Sequence, residues 1–403
     1  MAIVKPFKAW RPNPELAQEI ACVPYDVVNS KEARKLANGN PQSFLHVIKP
    51  EIDLSENTSV YDAKVYDQGR KNLYELLNSD AFLQEEHEAL YIYQLVMEGR
   101  SQTGIFSCVS VNDYNNNVIL KHELTRPDKE DDRTKHIIIQ AAHAEPVMLT
   151  FRDSGSVTSY VNEYMSREDP IYDLTSEDGI THTIWKVDDK ASLVSAFQDI
   201  PKLYIADGHH RCASAARAAK EMASQNPGHT GKEEYNYFPA VLFPMDQMEI
   251  LAYNRIILST PDNFLEQLKK EFTLSKNVKP VPSKKGMVSF YINDNWYGLT
   301  LKASEKNDPV SNLDITLLQN QVLEPLLDIK DQRTDPNIDF VGGIRGTDEL
   351  EKLVDTGEAS LGISLYPTSI EELLDVSDAG LLMPPKSTWF EPKLRSGLLI
   401  HTF

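Results

Sequence analysis

The sequence predicts an α+β protein: a mixed-sheet core elaborated by additional helices and strands, with more than one domain in the chain. Three observations predict it. Segments with period-two apolar alternation and segments with helical period follow one another without a regular strand–helix–strand succession. One apolar strand, Leu203–Ala206, runs through a polar glycine-bearing turn into an alanine-rich helix at Cys212–Ser224. The length of 403 residues, 41% apolar and 25% charged, suffices for two or three domains and for cores that need no disulfide or metal.

Each element has its local reason. The first fifty residues carry six prolines (positions 6, 12, 14, 24, 41 and 50) and read as loops around one short helix, with Ser30 as its N-cap and Asn38-Gly39 as its stop. A helix is expected over 60–78 and a strand over Leu90–Met97. Residues 104–123 alternate around Asn112–Asn117, the pattern of a β-hairpin. The charge-dense stretch 124–137 reads as a loop opening into a helix. A strand at 146–151, a helix at 155–166, a strand at Thr181–Val187 and a helix at 190–197 complete the approach to the central strand–turn–helix. Beyond it come strands at 236–243 and 249–258, a helix at 261–272, and a hairpin at 287–302 turning at Asn293–Asp294–Asn295. The tail alternates: helix 313–327, strand 338–341, a turn at Gly342-Gly343, helix 347–355, strand 359–365, helix 369–375 and a last strand at 398–403. The domains are expected at residues 1–250 and 251–403, with the last loop of the second returning to the site of the first.

Composition excludes several classes. Three cysteines far apart, with no CxxC pair, fit neither a disulfide framework nor a structural zinc site. The short apolar run at the N-terminus does not make a signal peptide, and no run of about eighteen apolar residues occurs; a cytoplasmic protein without membrane contact is expected. A net charge of −19 repels nucleic acid. Local arginines and backbone amides still bind a small anion against such a field. The signatures of P-loop kinases, dinucleotide-binding domains, zincins and α/β-hydrolases are absent.

The chemistry concentrates at Asp207-Gly208-His209-His210-Arg211. A strand that ends in a glycine turn and opens a helix leaves free amides at the positive end of the helix dipole, which favours phosphate. Gly208 permits the tight turn and a close ligand approach. His210 and Arg211 add donors, and Arg grips two phosphate oxygens at once. Asp207 is placed to hold Mg²⁺ or a hydroxyl, or to cap the helix. The alternative reading, a capped helix with solvated histidines, is weaker because five such residues stand together. Between His122 and Arg133, Glu123 is a candidate base, and Lys129, Asp132 and Arg133 share a face if helical. Asp26, in VPYDVV, is a second candidate base or a turn cap. His46, Lys49 and Glu51 offer a similar ambiguity. In MPPKSTWFEPKLRSG, Lys386 and Lys393 suit anion binding.

The stretch YIADGHHRCASA resembles the phosphate-binding motif of the ParB/sulfiredoxin superfamily, and its D-G-H-H-R form resembles the free-serine kinases. Sulfiredoxins carry a catalytic cysteine where this chain has His209, so the resemblance does not extend to their reaction. Over its length the chain is similar to the domain of unknown function 1015 family, on VKPFKAWRP, CVPYDVV, NPQSFLHVIKPEID, KHELTRPDKEDDRTKH, YIADGHHR and MPPKSTWFEPKLRSGL. The resemblance implies a ParB/sulfiredoxin-like core and a nucleotide-dependent phosphotransferase acting on a small hydroxyl-bearing metabolite. Mg²⁺ and ATP or ADP are the implied cofactors. Asp207, His209, Glu123 and Asp26 are the catalytic candidates; Gly208, His210, Arg211, Lys129, Arg133, Lys386 and Lys393 are the phosphate-binding ones. A ParB-type nucleotide switch and a phosphate-releasing hydrolase are the alternatives.

Overall fold

The structure is a computed structural model and describes residues 2–403. Two compact units divide it: the chain up to Met248 together with Pro392–Phe403, and Glu249–Glu391.

The first unit is built on a nine-stranded mixed sheet. Its strands are β1 (Val4–Lys5), β2 (Leu90–Met97), β3 (Arg100–Ser110), β4 (Ile119–Leu120), β5 (Val147–Phe151), β6 (Tyr172–Thr175), β7 (Thr181–Val187), β8 (Leu203–Asp207) and β9 (Tyr237–Pro244). They lie in the order β4-β8-β5-β9-β3-β2-β7-β6, with β1 beside β3. β5 and β9 are parallel, as are β4 and β8, and the remaining pairs are antiparallel. Near-continuous apolar strands such as β5 are buried along their whole length, as strands covered on both faces require. Gly104 of β3 allows the close approach of β9: a Cβ there would stand 2.6 Å from the Phe243 ring.

The longer helices of this unit are α1 (Ser30–Leu36), α2 (Ala63–Leu77), α3 (Pro127–Gln140), α4 (Ser156–Met165), α5 (Lys190–Ala196) and α6 (His209–Gln225). Val157, Val161, Leu193, Cys212, Ala215 and Ala219 of α4, α5 and α6 pack with Ile92, Ile105, Leu149, Ile205 and Leu242 of the sheet into the main core. A smaller core gathers Ile20, Ala33, Leu45, Val47, Leu73 and Leu76 with Ile400.

Three local expectations are corrected. The hairpin expected across 104–123 is instead β2–β3, turning at Glu98-Gly99, both at positive φ. Ser110 caps a short helix, Val111–Asn115, and the chain then leaves to run parallel to β8. The N-cap of α1 is Asn29: its side chain accepts from the Glu32 amide and the Glu32 carboxylate accepts from the Asn29 amide, a capping box that Ser30 cannot close. The last strand shortens to His401–Thr402, paired with Ala142–His143.

The second unit carries a six-stranded antiparallel sheet of β10 (Tyr253–Ile257), β11 (Ser275–Lys276), β12 (Met287–Ile292), β13 (Asn295–Thr300), β14 (Ile338–Gly342) and β15 (Leu361–Leu365), ordered β11-β13-β12-β15-β10-β14. Asn293 and Asp294 both take positive φ, 50° and 57°, in a two-residue turn between β12 and β13, the geometry that matches strand twist. The helix expected over 313–327 is interrupted: Asp314–Leu318 and Glu324–Leu327 flank a π-helical turn at Gln319–Leu323. Pro325 has no N–H to offer the Gln321 carbonyl, and the ladder shifts to accommodate it.

Candidate active site

β8 ends on Asp207, and one residue, Gly208, turns the chain into α6. Its φ of 99° and ψ of 32° suit glycine alone, and a Cβ would stand 3.0 Å from Val147 Cγ1 and 3.1 Å from Arg211 Nε. The helix begins at His209, three residues earlier than the sequence suggests. His209, His210 and Arg211 therefore fan out at about 100° per residue around the first helical turn. No side chain caps this 17-residue helix, so the first-turn amides stay available at its positive end.

Asp207 stands between two cations. Lys393 Nζ lies 3.4 Å and an Arg211 guanidinium nitrogen 3.5 Å from its Oδ2, and Oδ1 takes neither. Burial opposes the charge, but Lys393, Arg211 and His209 hold the carboxyl well below the usual range. Arg211 is buried and also reaches Asp26, at 3.8 Å, and the Pro146 carbonyl. Despite burial, Asp26, Asp207 and Glu145 keep its guanidinium charged. Its Nε has no protein partner; behind it lies a cavity of about 40 Å³ lined also by Arg133, His136, His143 and Glu145, room for ordered water.

The two histidines hold the preceding loop. The Arg126 amide donates to His210 Nε2 at 3.0 Å, and the His122 amide to His209 Nε2 at 3.4 Å. An Nε2 that accepts is unprotonated, so both neutral rings carry their proton on Nδ1. Burial pushes the pKa of each ring down, and the neighbouring His122 lowers that of His209 further. His210 thus keeps only Nδ1 for a ligand. His209 Nδ1 faces Glu123 Oε2 at 3.9 Å, and the His122 and His209 rings meet edge to face, centroids 4.4 Å apart.

The other candidates lie in different settings. Tyr25 donates its amide to Glu145, which also receives the Ser396 hydroxyl; the Pro24-Tyr25-Asp26 turn is thereby fixed beside Arg211. Arg133 lies over the Tyr25 ring at 4.3 Å and is bound by Asp132 at 2.7 Å, both side chains largely buried. Of the three residues expected to share a helical face, Asp132 and Arg133 are turned inward by α3. Lys129 is half-buried near His210. Glu51 is tied to Ser30 and Lys49, and His46 to Asp53. Lys386 belongs to the second unit, where its ammonium covers the Tyr253 ring and its carbonyl accepts from buried Arg255. Glu145 and Pro146 escaped the sequence reading; the one signal was a carboxylate–proline pair opening an apolar strand.

The first unit is thus an α+β protein with a large mixed sheet, in which an uncapped helix N-terminus, two cations and three carboxylates converge. The chain belongs to the family described as Protein of unknown function (DUF1015), whose model matches residues 4–316; MPPKSTWFEPKLRSGL lies beyond that match. No curated protein matches the chain significantly. Among solved structures, it is similar to a free serine kinase in complex with AMP (12% identity, TM-score 0.38, covering 73% of this chain and 92% of that one). SbnI with a C-terminal truncation, from Staphylococcus aureus, gives 12% identity and a TM-score of 0.39 over 72% and 85%. A conserved hypothetical protein from Pyrococcus furiosus gives 12% and 0.37 over 73% and 95%. No helix among the described residues is long and apolar enough to cross a membrane.

Proposed function

We propose that this protein is a nucleotide-dependent phosphotransferase acting on a small hydroxyl-bearing metabolite, serine or a relative, with a ParB-like phosphate turn as its centre. One observation carries the reading: the uncapped N-terminus of α6 follows Asp207 by a single glycine, and Arg211 and Lys393 both reach one oxygen of that carboxylate. The free amides, the helix dipole and the buried guanidinium are donors preorganised for an anion, the main requirement of phosphoryl transfer.

In this reading the amides of His209–Arg211 and the Arg211 fork take the phosphates. Lys393 offsets charge that develops in transfer. His209 and His210 act on the protein side, holding the loop 122–126 over the helix end. Asp26, 3.8 Å from Arg211 and about two-fifths exposed, is the carboxylate best placed to take the acceptor's proton. Mg²⁺ is hard and prefers oxygen; Asp207 Oδ1 is the protein oxygen on offer to a cation that enters with the nucleotide.

The test is a thermal-shift series with ATP, ADP, CTP and GTP, each with and without Mg²⁺. A ligand that binds only the folded state stabilises it by about 2.7 kcal/mol at a hundred times its Kd. One nucleotide is expected to raise Tm, and Arg211→Lys, which keeps the charge but loses the two-pronged grip, to weaken that shift. No shift with any nucleotide at several millimolar sinks the reading.

A further inference from the structure

We infer that His122, Glu123 and His209 form a binding site for a first-row divalent transition cation such as Zn²⁺, Mn²⁺ or Co²⁺. One ligand atom from each residue lies within 4.8 Å of the others. The residues come from two elements, the loop after β4 and the first turn of α6, so the cluster is a product of the fold and not of one charged stretch.

His122 supplies the independent observation. Its ring is 1% exposed; the Ile205 backbone is its polar neighbour, but neither ring nitrogen has a partner at hydrogen-bond geometry. A buried polar group left so is costly, and a metal ion would satisfy one of its nitrogens. His209 is 6% exposed, while the Glu123 side chain is 38% exposed, so two imidazoles form the floor and the carboxylate the rim. Metal bonds of about 2.0–2.2 Å require the donors to close by roughly 1 Å.

The donor set selects the metal. Two imidazoles and one carboxylate suit first-row transition cations and disfavour Mg²⁺, which takes oxygen. Three protein ligands also leave positions open for water or a phosphate oxygen. Binding at His209 Nδ1 requires its proton to move to Nε2, and the 3.4 Å contact from the His122 amide, already long, is then given up. The site goes beyond the nucleotide reading and does not require it.

The probe is Co²⁺, added without nucleotide to full-length protein freed of metal by a chelator. Visible d–d absorption saturating at one equivalent is expected, with Zn²⁺ abolishing it in competition. Glu123→Ala, at the partly exposed rim, should fold normally and bind at least tenfold more weakly; His122→Asn should do the same, with folding checked by circular dichroism. Absence of Co²⁺ absorption, or affinity unchanged in Glu123→Ala, overturns the site. Because no nucleotide is present, neither outcome depends on the nucleotide thermal shifts.

Discussion

At Asp207 a carboxylate is kept ionised by Lys393 and Arg211 on one oxygen, in a place partly closed to water. Charge fixed before the ligand arrives costs no reorganisation when the reaction occurs. Asp207→Asn keeps the shape and removes the charge. It should lower the proposed phosphoryl transfer at least about a hundredfold, the scale of losing one preorganised electrostatic group, while moving Tm by only a few degrees. A collapse of Tm in that variant would make Asp207 a structural counter-ion instead. His210 differs in kind: its Nε2 accepts the Arg126 amide. His210→Ala frees that amide, and hydrogen exchange over residues 122–126 should accelerate several-fold while the strands of the sheet exchange as before. Unchanged exchange in the loop would remove the histidine from its anchoring role.

The strand–glycine–helix joint is the element on which the site depends. Gly208→Ala would place a Cβ 3.0 Å from Val147 at a φ of 99°. The expected cost is about 2 kcal/mol from strain and crowding, read as a lower midpoint in urea, with weaker anion binding as the amides tilt; an unchanged midpoint would show the joint to be pliable. Much of this element was legible in the residues: a continuous apolar strand, a glycine and an alanine-rich helix have strong local signals. The helix start was not, because His209, His210 and Arg211 read locally as polar turn residues. Their helical state follows from Gly208, which reverses the chain in a single residue. The hairpin expected at 104–123 failed for a similar reason. Asn112–Asn117 is turn-like in composition, yet Ser110 caps a helical turn there, and β4 finds its partner more than eighty residues later, at Leu203–Tyr204. Pairings of that range leave no mark on local periodicity. The carboxylates around Arg211 were visible singly; that Asp26, Asp207 and Glu145 share one guanidinium is a fact of the tertiary fold.

Across the whole molecule, buried neutral histidines couple stability to acid. Burial lowers the pKa of His122 to about 4, and burial with Arg395 nearby lowers that of His182 to about 3. Both rings are 1% exposed. In the unfolded chain each takes up its proton near pH 6.5. Below that pH the unfolded chain therefore binds more protons, and each histidine removes up to about 1.4 kcal/mol of stability per pH unit until its folded pKa is reached. Urea midpoints should fall steadily from pH 6.5 towards pH 4 and hold level just above 6.5. A flat profile between 6.5 and 4 would mean that these rings already carry a proton in the fold. Bound Zn²⁺ should steepen the profile, since acid would then also expel the metal.

Lys393 reaches Asp207 from the Pro392–Phe403 segment, which rejoins the first unit after the chain has run through all of Glu249–Glu391. On the ribosome, the nascent first unit must wait for an entire second unit to be translated before its aspartate meets the lysine that neutralises it. His401–Thr402 likewise closes against Ala142–His143 only then. A truncated or stalled chain thus has the helix end and the arginine but not the second cation.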